Sequence, residues 1–352
     1  MSLTRRLFVS QSLASCTALT WLGTTGVLAE TISAGWTNRT LAAASSAAKA
    51  EAVITAAKLH PQGKWIISGG DDHLLRVWDI ESGRVVHELT GHTDWVRGIA
   101  ITTSGELLAS TGNDGRILLW NATTWEKPRE LAMLPFALAT LDFSHDGSLL
   151  AVAGWSDQVF VYDPSTGKRV HELAAPGGDL RTVAFSPDAK LLAVGGRSGK
   201  IRLWNMSDQS VLADIPAHSQ RVRSLLFSSD SSALLSAGED GLVRLTPVSQ
   251  GSAGFTLPRM SCKILAIALC GENQLAVAGS DNRIHLWNLK TRASQGVLSP
   301  HQGSITTLDC VGETLISGGY DTSLRVWTVH GNVVDSNSPK NRVSARPSFR
   351  LE

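Results

Sequence analysis

RILLWNA, residues 116–122, ends an apolar run on an aromatic followed by a small polar residue, and the chain writes six variants of it. They are LLRVWDI at 74–80, QVFVYDP at 158–164, KIRLWNM at 200–206, LVRLTPV at 242–248, RIHLWNL at 283–289 and SLRVWTV at 323–329. The fifth residues, Trp78, Trp120, Tyr162, Trp204, Thr246, Trp287 and Trp327, stand 42, 42, 42, 42, 41 and 40 apart. Such a steady period marks a repeat architecture, whose units are too small to bury their own apolar faces and must stack on neighbours.

Working outward from 116–122, the repeat at 91–124 reads GHTDW, VRGIAITTSG, ELLASTGNDG and RILLWNATT. Its segments are short, apolar and β-branched, which favours strands over helices. Turns fall at Ser104-Gly105 and Asn113-Asp114-Gly115, and in other repeats at Asp146-Gly147, Ser165-Thr166-Gly167 and Asp240-Gly241. A fourth strand follows the aromatic run, as at residues 84–89 and 168–173, so each unit is a four-stranded antiparallel sheet.

A length of 352 residues would allow two or three ordinary domains, but seven stacked units consume nearly all of it as one. Apolar residues at 43%, charged residues at 18% and 32 glycines fit a soluble globular chain rich in tight turns. The net charge of +1 argues against nucleic acid as the main partner. Cys16, Cys262, Cys270 and Cys310 show neither CxxC nor CxxCH spacing, so zinc of that type and attached haem lack support. Cys270 and Cys310 occupy equivalent places in adjacent repeats and are expected to be two small buried thiols, a disulfide being the alternative.

Order, spacing and copy number together resemble the WD-repeat family of β-propellers, over about residues 36–333. The resemblance implies an all-β, seven-bladed propeller of four-stranded antiparallel blades. It also implies that a His, a Ser or Thr, an Asp and the Trp brace each blade through hydrogen bonds. Two repeats carry the full set: His92, Ser110, Asp114 and Trp120, and His301, Ser317, Asp321 and Trp327. The first keeps Ser68, Asp72 and Trp78, with Lys49 near the His position. The fifth keeps His218, Ser236 and Asp240 but has Thr246 for the aromatic. The sixth keeps Asp281 and Trp287, and the third and fourth lack His, Ser and Asp in register, with Asp157 one place late. Those two blades are expected to rest on apolar packing and to be locally looser.

An open propeller would expose two strand edges, so the ring must be closed. Only three strands of the seventh blade follow His301, and residues 37–43 supply the missing outer strand, with 332–335 as the rival. The domain reading is therefore 1–29 a signal peptide, 30–332 the propeller and 333–352 a polar, disordered tail. Thr4-Arg5-Arg6-Leu7-Phe8-Val9 precedes a mildly apolar stretch ending in Val27-Leu28-Ala29, which resembles a bacterial twin-arginine signal and implies a periplasmic or envelope location. Leu13-Ala14-Ser15-Cys16 also reads as a lipoprotein cleavage box, and a retained, uncleaved terminus or a cytoplasmic protein is the third reading. A membrane would be met only through that terminus, which strand order places on the face opposite the Asp turns.

His92, Ser110 and Asp114 imitate a hydrolase triad, but the set recurs at His301, Ser317 and Asp321, which suits bracing and not one catalytic centre. The pairs Gly69-Gly70, Gly195-Gly196 and Gly318-Gly319 lack the strand-to-helix setting of a phosphate loop. The ten histidines show no HxH or HExxH spacing. No catalytic residue, cofactor or metal ligand is assigned from sequence.

In the family that the chain resembles, partners meet the upper face, at the starts of inner strands and beside the turn Asp. Carried over, those positions include Trp95, Arg97, Trp155, Arg181, Arg197, Arg221, Arg223, Lys263 and Tyr320, with Asp179 and Glu239 among them. Arg181, Arg197, Arg221, Arg223 and Lys263 form a basic arc on blades four to six, and aromatics stand on blades two, three and seven. Aromatic and arginine side chains of this kind make hot spots for protein partners, and the local positive field favours an acidic one. The expectation is a non-catalytic scaffold for protein partners, not nucleic acid. The alternative is an exported propeller that binds a small molecule, or acts as an enzyme, through its central channel.

Overall fold

β-branched and aliphatic runs of five to seven residues, cut by Gly and Asp turns, form strands throughout the computed structural model, which describes residues 30–31, 36–41, 52–249, 253–299 and 301–329. The strands assemble into seven antiparallel sheets, each a blade. Blade two is typical: Val96–Ile101 is innermost, then Leu107–Gly112, Arg116–Asn121 and the outer Arg129–Met133. Arg116–Asn121, which contains most of the quoted RILLWNA stretch, is the third strand, and its Leu118 and Trp120 pack into the seam with blade one.

The ring closes through the amino-terminal side. Trp36–Leu41 pairs antiparallel with Leu324–Val329, making it the outer strand of blade seven, and Glu30–Thr31 adds a short further pairing. Trp36 lies opposite Val329 and Leu41 opposite Leu324, so the chain enters from the end away from the Asp321 turn. The signal reading at 1–29, Lys49, residues 42–43 and 332–335 and the tail at 333–352 lie outside the described residues.

The apolar core lies between blades and not within them. Ile67, Leu75 and Val77 of blade one share a cluster with Ile99, Leu118 and Trp120 of blade two. Inner strands of neighbouring blades are tied by side chains reaching across: Leu225 N donates to Thr182 Oγ1, Ala57 N to Thr307 Oγ1 and Leu59 N to Asp309 Oδ2. Blade three, stripped of the bracing set, buries Phe143, Leu150, Val152, Phe160 and Tyr162 in one cluster with blade-two residues, so packing does hold it.

The glycine after the turn Asp has a steric reason. Gly115 has φ of 74°, and a Cβ there would lie 2.2 Å from the carbonyl oxygen of Leu134. At the same place, blades one, six and seven put His73, Asn282 and Thr322 into the left-handed region.

Cys270 and Cys310 overturn the expectation of two reduced thiols. They form a disulfide with Cα atoms 5.5 Å apart, joining inner strands Ile264–Cys270 and Ile305–Val311. The strand registers set Cys310 level with Leu269, one place before Cys270, and that small offset at the ends of adjacent inner strands leaves the two within disulfide reach.

Candidate interaction face

The bracing sets come first, because they position the turns that carry the face. In blade two, the Trp120 indole donates to Ser110 Oγ at 2.9 Å, Ser110 Oγ lies 2.8 Å from His92 Nε2, and His92 Nδ1 lies 2.9 Å from Asp114 Oδ2. The donors form one consistent chain when Nδ1 carries the imidazole proton. Blade seven repeats it through Trp327, Ser317, His301 and Asp321 at 3.0, 2.7 and 2.9 Å. Burial alone would raise the carboxyls of Asp114 and Asp321, but hydrogen bonds from the histidine and from Thr93 N or Gln302 N hold both below the usual range. Ser110 and Ser317 are fully buried, so no substrate reaches their hydroxyls. These sets therefore brace the blades.

Second residues of the inner strands ring the mouth of the central channel: Thr55, Arg97, Ala139, Arg181, Arg223, Leu265 and Thr306. The cavity below has a volume of about 360 Å³. Arg181 stacks 3.9 Å above Trp155, and Arg97 4.7 Å above Trp95 while donating to Asn113 Oδ1 at 3.0 Å. Trp155, even with Arg181 over its ring, and Tyr320 remain exposed at 39% and 50%, large for aromatic side chains.

The basic arc is partly neutralised. Asp179 pairs with Arg181 at 2.6 Å and Arg221 at 2.8 Å, and Glu239 meets Arg221, Arg223 and Lys263 at 3.2, 3.8 and 3.5 Å. Four cations thus share two carboxylates, and exposed Arg197 stands beyond this network. Burial disfavours the charged forms of Arg97, Arg181 and Arg223. At Arg181, Asp179 opposes this, while Arg223, Arg221 and Arg97 reinforce it. The Nε–H groups of Arg181, Arg221 and Arg223 are buried without an acceptor in the described protein. Such donors call for water or a ligand anion.

Two clusters escaped sequence reasoning. Lys58, Asp142 and Asp309 each stand fifth in their inner strands, and Lys58 Nζ binds Asp309 at 2.8 Å. Burial pushes the Asp142 carboxyl up to about 6, despite the Phe185 N–H and the Lys58 charge. A carboxyl raised on folding takes up a proton between pH 3.8 and about 6, so stability falls as pH rises through that window. Asp142→Asn keeps an acceptor for Phe185 N and removes this slope. Urea unfolding at pH 8 should show the variant more stable by about 3 kcal/mol, with little gain at pH 4. Equal stability at pH 8 would contradict this.

The second cluster is Cys262, Asp281 and His285, whose donor atoms all lie within 4.8 Å of one another. Sequence spacing had given no metal-binding arrangement among the histidines; in space, strand pairing brings this trio to one corner of blade six. Burial, then Asp281, pushes the Cys262 thiol up to about 11, so without a cation it is protonated at neutral pH and not a nucleophile.

Seven four-stranded blades, two of them braced by a full set of His, Ser, Asp and Trp, define a propeller of tryptophan–aspartate repeats. The family model "WD domain, G-beta repeat" matches residues 40–79, 83–121, 167–205, 209–246, 254–288 and 292–328, and the chain belongs to that family. Residues 122–166 fall between matches and contain most of blade three, whose bracing set is missing. The chain is similar to a nuclear distribution protein PAC1 of Mycosarcoma maydis, 41% identical over 46 residues, 13% of this chain and 10% of that protein. It is also similar to a CCR4-associated factor 4 homolog of Candida glabrata, 38% identical over 68 residues, 19% of this chain and 12% of that protein. The alignments thus span about a tenth of those relatives. Propellers of this family generally serve as scaffolds for protein interactions.

Proposed function

We propose that this chain is a non-catalytic scaffold whose upper face binds an acidic protein segment, with a carboxylate-bearing side chain or terminus of the partner seated at the channel mouth. The observation that carries it is the convergence of Arg97, Arg181 and Arg223 on that mouth, with buried Nε–H groups of Arg181 and Arg223 lacking acceptors. Trp95, Trp155 and Tyr320 flank the arginines as apolar anchors. Export is part of the proposal. The twin-arginine-like start motivates it, and the Cys270–Cys310 disulfide supports an oxidising compartment.

Reversing Arg181, Arg221 and Arg223 to Glu together should weaken capture of partners from intact cells at least about a hundredfold, as loss of clustered arginine hot spots does. Undiminished capture sinks the proposal. The polar-lined cavity favours a second reading, a small anion in the channel, which would raise the melting temperature of the protein alone in a metabolite screen.

A further inference from the structure

Blade six has lost its bracing set and gained a different one. Val277, paired with His285, stands where Ser110 pairs with Leu118 and Ser317 with Arg325, so the buried Trp287 indole N–H has no acceptor among the described residues. Met260, four residues before the inner strand, stands where His92, His218 and His301 stand. Asp281 is retained, yet no bracing histidine reaches it. His285 Nε2 lies 2.7 Å from Asp281 Oδ2, and the Cys262 thiol also hydrogen-bonds to Asp281. The residue four after the turn Asp is Arg76, Leu118, Arg244 or Arg325 in the corresponding blades, so the imidazole at this place belongs to blade six.

We infer that Cys262, Asp281 and His285 are a binding site for a zinc-class divalent cation, which braces blade six as the histidine network braces blades two and seven. Thiolate, imidazole and carboxylate are the donor set of a borderline-soft ion, whereas magnesium and calcium take oxygen alone. Donors around tetrahedral zinc stand roughly 3.5 Å apart. The present separations, within 4.8 Å, close to that by side-chain rotation. Three protein ligands leave a fourth position for water. The side chains of His285 and Asp281 are 20% and 25% exposed, which gives the ion a way in. On binding, the thiol proton leaves to solvent, and the imidazole keeps a single proton on Nδ1 so that Nε2 presents its lone pair. Cys270 and Cys310 are committed to each other, so among the described residues Cys262 has no disulfide partner.

The test uses the full chain, stripped with chelator and kept unreduced, then titrated with cobalt(II). One equivalent should produce a near-ultraviolet sulfur-to-cobalt charge-transfer band with tetrahedral visible bands, and zinc should displace it. Cys262→Ser should abolish the charge-transfer band, and His285→Gln should weaken zinc at least about a hundredfold while keeping the strand circular dichroism spectrum. Zinc should raise the melting temperature of the wild type and of neither variant. No charge-transfer band in the wild type, a band surviving Cys262→Ser, or zinc affinity unchanged in His285→Gln would overturn the assignment.

Discussion

Replacing Cys270 and Cys310 together by alanine should lower the free energy of unfolding by about 4 kcal/mol, the value loop-closure entropy gives for a link spanning about 40 residues. The two cysteines are 40 apart in sequence and sit on the inner strands of blades six and seven. Blade seven also takes the closing strand Trp36–Leu41, so the link ties the blade holding the seam to the preceding blade. In the oxidised wild type, the unfolded chain cannot separate those blades fully. Urea unfolding of the oxidised wild type, the reduced wild type and the double variant checks the claim. The reduced protein and the variant should coincide, well below the oxidised one. Identical midpoints for all three would mean that the link contributes nothing.

Ser110→Ala should cost about 3 kcal/mol, and Ser236→Ala only about 1. Ser110 Oγ accepts the Trp120 indole proton and bonds to His92, and its loss strands two buried polar groups, each worth roughly 1–3 kcal/mol. Ser236 lies 2.9 Å from His218 Nε2, but Thr246 replaces the tryptophan in that blade, so one fewer bond is lost. Both serines are buried, which makes the partner count the main variable. Equal costs in chemical denaturation would show that the network acts only through local packing.

The aromatic period at Trp78 through Trp327 made the seven blades legible, and the missing strand of blade seven made the closure legible. Both are properties of backbone pattern, which repeats state redundantly. The bracing sets were readable wherever all four members stood in register. The disulfide was less so: a spacing of about one period suggests proximity, but bond formation depends on strand register and Cα separation, which a period does not state. At the upper face, arginine positions were legible, whereas their sharing of Asp179 and Glu239 depends on side-chain reach across blades. The trio in blade six was hidden for a similar reason. Cys262 is 19 residues before Asp281, a distance without meaning until strands Ile264–Cys270 and Gln274–Gly279 pair.

Hydrogen–deuterium exchange of the full chain, alone and with its captured partner, tests the central claim most directly. Protection should fall at Trp95–Arg97, Asn113, Asp179–Arg181 and Arg221–Arg223, and should fade as salt is raised. Protection confined instead to the outer strands that carry Val170, Val211 and Leu212, with the channel mouth exchanging as in the free protein, would contradict it.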